Sequence, residues 1–339
     1  MSDNPQIGNL GEIKLIKIIE DLVRSKTGKA LIRDDAFFFE LLDEDTKEYL
    51  VLNSDMLVSS TDIPPQMNSY QVGTKSVIMN ISDLLVKGVR PKGIIISLGL
   101  PKTLKKESFI KIISGIIDCS LKFDLKLIGG DINETKEIII APTVFGLKSP
   151  SNIILRKGIN VDDILVINRK FGLTGVGFDL LLNRGSEIEI FPNYIRSIKS
   201  VLEPRVSGLE ASILSEKKLA TSSIDSSDGL TKSLTDLMIS NPDIGFEIDF
   251  NENLIDNEAI LYSQEFNIPL ENLVFNGGEE YIHLFTIKAN NFFKAKKEIQ
   301  KKGGTLFKIG KVIPEEYIYI LKDNKRSRLK SYGFEHFTI

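Results

Sequence analysis

The sequence predicts a protein of two domains, each of the α/β or α+β class. The chain has 339 residues, about twice the usual size of a single domain. Segments with strand-like and helix-like patterns alternate in both halves, which is typical of mixed sheets covered by helices. A polar segment that contains a proline, residues 148–152, separates the halves. We therefore expect an N-terminal domain over residues 1–149 and a C-terminal domain over residues 150–339.

Hydrophobic periodicity predicts the elements of the N-terminal half. Helices are expected at 12–23, 70–87 and 104–123. The expected apolar face of the first helix includes Ile19 and Leu22, and that of the third includes Ile110, Ile117 and Leu121. Strands are expected at 36–42, 49–52, 94–100, 126–128 and 138–147.

The C-terminal half shows the same alternation. Strands are expected at 164–168, 244–250 and 281–287, and helices at 178–182, 192–200, 207–216, 230–238 and 291–302. The glycine-rich segment 172–177 lacks the spacing of a dinucleotide-binding motif and indicates a turn. The basic run 322–330 indicates a solvated hairpin loop rather than a nucleic-acid patch.

Composition excludes several classes of protein. Lys and Arg total 43 against 46 Asp and Glu, a net charge of -3, whereas a general nucleic-acid binder would be strongly basic. One cysteine, Cys119, and two histidines, His283 and His336, are too few for a Cys- or His-rich metal site. The N-terminus lacks the pattern of a signal peptide, and the most apolar window, residues 93–100, is too short to cross a bilayer. We expect a cytoplasmic protein with no nucleic-acid and no membrane partner.

Aspartates lie beside glycine, serine or asparagine at the ends of apolar runs. They are Asp34, Asp35, Asp55, Asp83, Asp131, Asp225 and Asp228. Each one alone has a structural interpretation as a turn residue, a helix cap or part of a polar helix face. If they converge, each pair at ~5 Å repels by about 3 kcal/mol at an effective dielectric constant of 20. A divalent cation with oxygen ligands removes that repulsion, so the pattern favours a site for Mg²⁺ and a nucleotide.

Nine short motifs run in order through the chain. They cover residues 33–36, 53–57, 73–83, 88–91, 97–101, 127–131, 224–230, 276–281 and 333–337. They resemble, nearly end to end, the archaeal form of thiamine-monophosphate kinase, in the superfamily that includes aminoimidazole-ribonucleotide synthetase. The resemblance implies a two-domain fold like that of the synthetase, with N-terminal sheets pairing into a barrel in a homodimer. It also implies Mg²⁺-assisted transfer of a phosphoryl group from ATP to thiamine monophosphate, which gives thiamine diphosphate.

The resemblance also implies roles for individual residues. The implied metal ligands are Asp35, Asn53, Ser54, Asp55, Asp83, Asp131, Asp225 and Asp228. The implied contacts to ATP are Gly130, Asp131, Arg156 and Ser227. The implied contacts to the thiamine substrate are Asp62, which stands where bacterial members have a histidine, Glu279 and Phe334.

The expected chemistry needs no catalytic base. A phosphate monoester is already largely ionised at neutral pH, because its second pKa is about 6, so positioning and charge neutralisation suffice. Two alternatives stay open. One is another enzyme of the superfamily, such as aminoimidazole-ribonucleotide synthetase, and the other is a non-catalytic nucleotide-binding scaffold. The filled aspartate positions favour an active kinase.

Overall fold

The computed structural model describes residues 11–41, 48–185 and 191–329, which form two β-sheets flanked by helices. The strands of the first sheet are β1 Phe37–Glu40, β2 Tyr49–Asn53, β3 Leu57–Val58, β4 Pro91–Leu100, β5 Lys126–Glu134 and β6 Ile139–Lys148. The helices of this half are α1 Glu12–Thr27, α2 Ser59–Asp62, α3 Ser69–Val86 and α4 Lys106–Lys122.

The first sheet has the order β1-β2-β6-β4-β5, with β3 paired to β6. Strands β4 and β5 are parallel and the other pairs are antiparallel. Strands β1 and β5 are therefore the two edges. The predicted strand at 126–128 extends to Glu134, so Asp131 lies inside β5 and does not end the strand.

The second sheet is built from residues after 163. Its strands are β7 Ile164–Ile167, β8 Ala220–Ser226, β9 Gly245–Asp249, β10 Ile282–Ile287, β11 Phe307–Ile313, β12 Ile318–Lys322 and β13 Lys325–Arg328, in the order β13-β12-β9-β11-β7-β10-β8. Its helices are α5 Leu173–Phe178, α6 Ile195–Leu202, α7 Leu209–Glu216, α8 Leu230–Ser240, α9 Asn257–Phe266, α10 Leu270–Phe275 and α11 Phe292–Gln300. Buried apolar residues form two clusters, of which the larger spans both halves of the chain. The mixed α/β class is confirmed, and the basic run forms the hairpin β12–β13.

Two predicted apolar helix faces are not buried. Helix α1 has no buried residue, and Ile19 and Leu22 are 54% and 53% exposed. Helix α4 turns Leu121, 69% exposed, outward. Its buried face instead contains Gly115, where an added Cβ would lie 2.1 Å from the carbonyl oxygen of Tyr70. Close backbone contact with α3, which periodicity does not reveal, thus decides which face of α4 is buried.

The glycine-rich segment 172–177 is also a helix rather than a turn. Gly172 precedes α5 with a φ of 107°, and Gly175 packs against α10, where an added Cβ would lie 2.4 Å from the Leu273 carbonyl oxygen. These glycines serve helix packing. Across the described ranges, no helix combines the length and the apolar composition that crossing a membrane requires.

Candidate active site

Three buried aspartates meet where the two halves of the chain pack together. Asp35 immediately precedes the first sheet, Asp83 lies in α3 and Asp225 lies in β8. One carboxylate oxygen from each lies within 4.8 Å of the other two. We call these three residues the acidic cluster. Asp225 is far along the chain from the other two members. The neighbouring contact between Ser82 and Asp225, for example, joins residues that are 143 positions apart. Tertiary folding therefore assembles the cluster.

The cluster concentrates negative charge in a buried place. Burial, followed by the charge of Asp225, raises the pKa of Asp83 well above its usual range. Burial and the charge of Asp35 raise the pKa of Asp225 to about 7, although the Ser82 hydroxyl donates a hydrogen bond to Asp225 Oδ2 at 2.8 Å. A proton or a cation relieves the repulsion between carboxylates in this arrangement. A set of ligands made of oxygen alone fits Mg²⁺.

Asp35 differs from the other two because it already has cationic partners. Lys87 Nζ lies 2.6 Å from Asp35 Oδ2 and 2.7 Å from Asp34 Oδ1, and Arg156 Nε donates to Asp35 Oδ1 at 2.7 Å. Burial acts to raise the pKa of Asp35, but the charges of Arg156 and Lys87 outweigh it and hold the pKa below its usual value. Arg156 therefore reaches the cluster, as an ATP contact beside a metal site would.

Lys87 is a residue that the sequence analysis missed. On the sequence it belongs, with Asn80 and Asp83, to a polar helix face, yet all three side chains are buried. Lys87 Nζ also donates to the Ser223 carbonyl oxygen at 2.8 Å and so joins the second sheet to the first half. The sequence feature that could have indicated the burial of Lys87 is its position at the end of a strongly apolar helix.

The segment after β2 is held against α3. Asn53 Nδ2 donates to Asp55 Oδ2 at 3.2 Å and also to Asp83 Oδ2. Asn80 Oδ1 accepts the backbone N–H of Asp55 at 2.8 Å. Ser54 Oγ donates to the Pro142 carbonyl oxygen at 3.0 Å, so its hydroxyl contacts β6. Asn53 and Asp55 therefore border the acidic cluster, whereas the Ser54 side chain faces the sheet.

A second group of polar residues joins α2, α3 and the segment before β10. Lys75 is fully buried, its Nζ lies 2.5 Å from Glu279 Oε1, and it also donates to the Asp62 carbonyl oxygen. Burial raises the pKa of Glu279, and Lys75 partly opposes that rise. The Asp62 carboxylate accepts the N–H of Val58 at 2.6 Å, a local bond at the start of α2. Asp62 and Glu279 are predicted from the sequence as substrate contacts, whereas Lys75, which contacts both residues, is not.

Other predicted residues lie apart from the acidic cluster. Gly130 and Asp131 are exposed on the edge strand β5, and an added Cβ on Gly130 would lie 1.9 Å from the Ile96 carbonyl oxygen of β4. The close approach that Gly130 permits is thus to a neighbouring strand. The structure does not bring Asp131 into the cluster, and Phe334 lies outside the described residues.

Ser227 and Asp228 follow β8. Ser227 is exposed, and its carbonyl oxygen accepts the N–H of Glu279 at 2.5 Å. Helix α8 has Gly229 at its N-cap and no side-chain cap. Gly229 therefore occupies the N-cap position of α8, rather than Asp225 or Asp228.

His283, the histidine within the described ranges, is no candidate base. It is fully buried in β10, and neither ring nitrogen has a hydrogen-bond partner among the described residues. Burial lowers its pKa to about 3, so the ring is neutral at physiological pH. His283 is therefore a packed residue of the strand. Cys119 is also buried, and burial raises its pKa to about 12.

Comparison with known proteins identifies similar chains over almost the whole length. A family model for the N-terminal domain of AIR synthase related proteins matches residues 33–148. The chain is 32% identical over 338 residues to a thiamine-monophosphate kinase of Nitrosopumilus maritimus, covering 98% of this chain and 100% of that protein. It is 31% identical over 317 residues to one of Methanocaldococcus jannaschii, covering 90% and 94%. The solved structure of AaThiL complexed with AMPPCP and TMP superposes with a TM-score of 0.82 at 25% identity, covering 99% of this chain and 100% of that one.

Proposed function

The chain belongs to the thiamine-monophosphate kinase family, and we infer from this premise that it transfers the terminal phosphoryl group of ATP to thiamine monophosphate. The products are thiamine diphosphate and ADP. The similar structure of AaThiL contains AMPPCP and TMP, which supports a nucleotide and an acceptor of the same kinds for this chain. The relatives matched over most of its length are kinases, so another superfamily activity is not favoured.

We propose that the reaction takes place at the acidic cluster. We propose that Asp35, Asp83 and Asp225 hold Mg²⁺, with Asn53 and Asp55 at the border of the cluster. The 4.8 Å spacing of their carboxylate oxygens and the raised pKa values of Asp83 and Asp225 support this proposal. Ser54 stays a predicted ligand, although its hydroxyl donates to the Pro142 carbonyl oxygen. Bound Mg²⁺ would neutralise charge on the transferring phosphoryl group. Asp131 and Asp228 keep their proposed roles as further ligands outside the cluster.

Cations of the chain complement this arrangement. We propose that Arg156 contacts the phosphates of ATP, together with Gly130, Asp131 and Ser227. The guanidinium is fixed by Asp35, with Nε at 2.7 Å from Oδ1, so it presents its charge beside the proposed metal ligands without reorganisation. Preorganised charge of this kind stabilises the transition state of phosphoryl transfer.

The substrate end of the site is proposed at Lys75, Asp62, Glu279 and Phe334. The ion pair between Lys75 and Glu279 holds the Glu279 carboxylate in one position, where it can contact the cationic thiazolium ring of the substrate. No base is needed because the acceptor is a phosphate monoester. The buried, neutral His283 is in keeping with that requirement.

We propose a homodimer that forms through the first sheet. Its edge strand β5 carries exposed apolar residues, among them Ile128 at 57% and Ile132 at 61%. The opposite edge, β1, exposes Phe37 and Phe39. An exposed apolar edge strand favours pairing with a second chain, and pairing of two such sheets would close a barrel. A cytoplasmic location is proposed with it, since both substrates are metabolites of the cell interior.

The test is a product assay. Purified protein is incubated with ATP, Mg²⁺ and thiamine monophosphate, and products are separated by anion-exchange chromatography. We expect thiamine diphosphate and ADP in equal amounts, none in excess EDTA, and little product when thiamine replaces its monophosphate. Hydrolysis of ATP without thiamine diphosphate would contradict the proposal.

A further inference from the structure

A cavity of about 310 Å³ lies in the C-terminal half, beside the segment that carries Glu279. Its walls include Asn168, Arg169, Lys170, Glu280 and Phe307. None of these residues belongs to the acidic cluster or to the proposed substrate contacts. The volume is at the lower end of the range for small-molecule sites.

Two nitrogen donors in the wall have no acceptor among the described residues. They are the Nδ2 of Asn168, a residue that is buried, and the Nε of Arg169. The Oγ1 of Thr174 and the Oε1 of Glu280, in the same wall, also lack a partner there. The Asn168 amide cannot be reversed to satisfy itself, because its Oδ1 accepts the N–H of His283 at 3.0 Å. Burying a donor that has no acceptor is unfavourable. An acceptor supplied by a ligand would remove that cost.

The charge of the cavity is positive. Arg169 donates from Nη2 to the carbonyl oxygens of Glu280 and Tyr281, both at 2.8 Å, and Lys170 lies 5.6 Å above the ring of Phe307. Neither cation forms an ion pair with a carboxylate in the described part of the chain.

The acidic groups of the wall do not cancel this charge. Asp256 is already paired with Arg196, with Nη2 2.6 Å from Oδ2. Burial raises the pKa of Glu280 well above its usual range. Even with Glu280 and Asp256 both charged, the wall keeps one positive charge in excess, because Arg169, Lys170 and Arg196 supply three. The excess positive charge from Arg169 and Lys170 therefore selects an anion.

We propose that this cavity binds a small organic phosphate monoester. Its phosphate oxygens accept from Asn168 and Arg169, Lys170 neutralises its charge, and its organic part packs against Leu173 and Phe307. Several donors converging from different residues suit a tetrahedral phosphate, which offers more acceptor positions than a carboxylate. Because Arg169 also holds the backbone of Glu280 and Tyr281, the ligand shares its main cation with the segment that positions Glu279.

The test is calorimetric titration of the full chain with phenyl phosphate and with inorganic phosphate in metal-free buffer. We expect saturable binding of one phenyl phosphate per chain and weaker binding of inorganic phosphate. Lys170→Met should weaken phenyl phosphate by about tenfold or more, the effect of losing one charge-assisted contact. The matched control is Lys322→Met, because Lys322 also lies above a phenylalanine ring, 5.1 Å from the Phe250 centroid, but outside the cavity. That variant should bind as the unaltered chain does.

Two more variants separate this cavity from the proposed active site. Asn168→Asp keeps the acceptor for the His283 N–H and places a carboxylate against the phosphate, so it should abolish binding even if Lys170→Met is poorly folded. Lys75→Met removes a cation of the proposed substrate site and should leave binding intact. Absence of saturable binding, equal binding by Lys170→Met, or loss of binding in Lys75→Met alone would overturn the proposal.

Discussion

Two Asp→Asn substitutions in the acidic cluster should change the free energy of unfolding in opposite directions. Asp83→Asn and Asp35→Asn each replace a buried carboxylate by an amide of the same shape. Asp83 faces other carboxylates and has no cationic partner within the described ranges, whereas Asp35 contacts both Lys87 and Arg156. In metal-free protein, Asp83→Asn should therefore stabilise the fold and Asp35→Asn should destabilise it.

The magnitudes follow from the distances. A carboxylate pair at the 4.8 Å limit of the cluster repels by about 3.5 kcal/mol at an effective dielectric constant of 20. Weakening the hydrogen bond from Asn53 offsets about 1 kcal/mol of that relief, so Asp83→Asn should gain about 2 kcal/mol. Removing one partner of a buried ion pair costs about 3–5 kcal/mol. Because Asp34 still holds Lys87, Asp35→Asn should lose about 2 kcal/mol.

The assay is urea unfolding in excess EDTA, followed by steady-state kinetics with Mg²⁺ and ATP. Both variants should lose a factor of about 10² or more in kcat, as expected when a group that stabilises the transition state is removed. Asp249→Asn, in β9 and outside the cluster, is the matched control and should change neither property. Stability changes of the same sign for Asp35→Asn and Asp83→Asn would refute the charge assignment.

Four other expectations concern single positions. Asp131→Asn should lower kcat by about 10² or more and leave the melting temperature unchanged, because Asp131 is exposed; near-normal kcat would exclude it as a ligand. The pKa of about 3 for His283 lies below its ordinary 6.5, so the stability that the neutral ring contributes is present above pH 6.5 and is lost as pH falls toward 3, by about 2 kcal/mol at pH 5. His283→Leu should flatten that part of the urea-midpoint profile, and an unchanged slope would contradict the assignment. The proposed homodimer should be observed in sedimentation velocity, and Ile132→Lys on β5 should convert it to a monomer, while a persisting dimer would place the interface elsewhere. Cys119, buried and with a pKa of about 12, should react with DTNB at pH 8 only after unfolding, so rapid labelling of native protein would show that the site opens.

Much of the fold and part of the site could be predicted from the sequence. The apolar stripe of α3, for example Ile81 and Leu84, is buried as periodicity predicts. Aspartates beside small residues at the ends of apolar runs pointed to Asp35, Asp83 and Asp225. These residues could be predicted because Mg²⁺ sites use carboxylate oxygens as ligands, and small neighbouring residues let the backbone approach a phosphate closely.

What could not be predicted depends on partners far along the chain. Lys87 belongs on the sequence to a polar helix face, yet α3 is buried on nearly every side. The buried positions of Lys75 and Lys87 depend on Glu279 and Ser223, which lie far along the chain. The exposed face of α1 is a second case, because periodicity reports that a face is apolar and not what covers it. Asp131 is a third, since its position inside an edge strand depends on the register of β5 with β4.

The buried lysines of α3 also bear on how the chain folds during synthesis. Lys87 is made 136 residues before Ser223, and Lys75 is made 204 residues before Glu279. At about 5–20 residues per second, the ribosome needs roughly 7–27 s to supply the partner of Lys87 and longer to supply that of Lys75. During that interval Lys87 has Asp34 and Asp35 as partners, but the contacts of α3 with Ser223 and Glu279 cannot yet form. The contacts that join α3 to the second half therefore form only after residues 223 and 279 have been made.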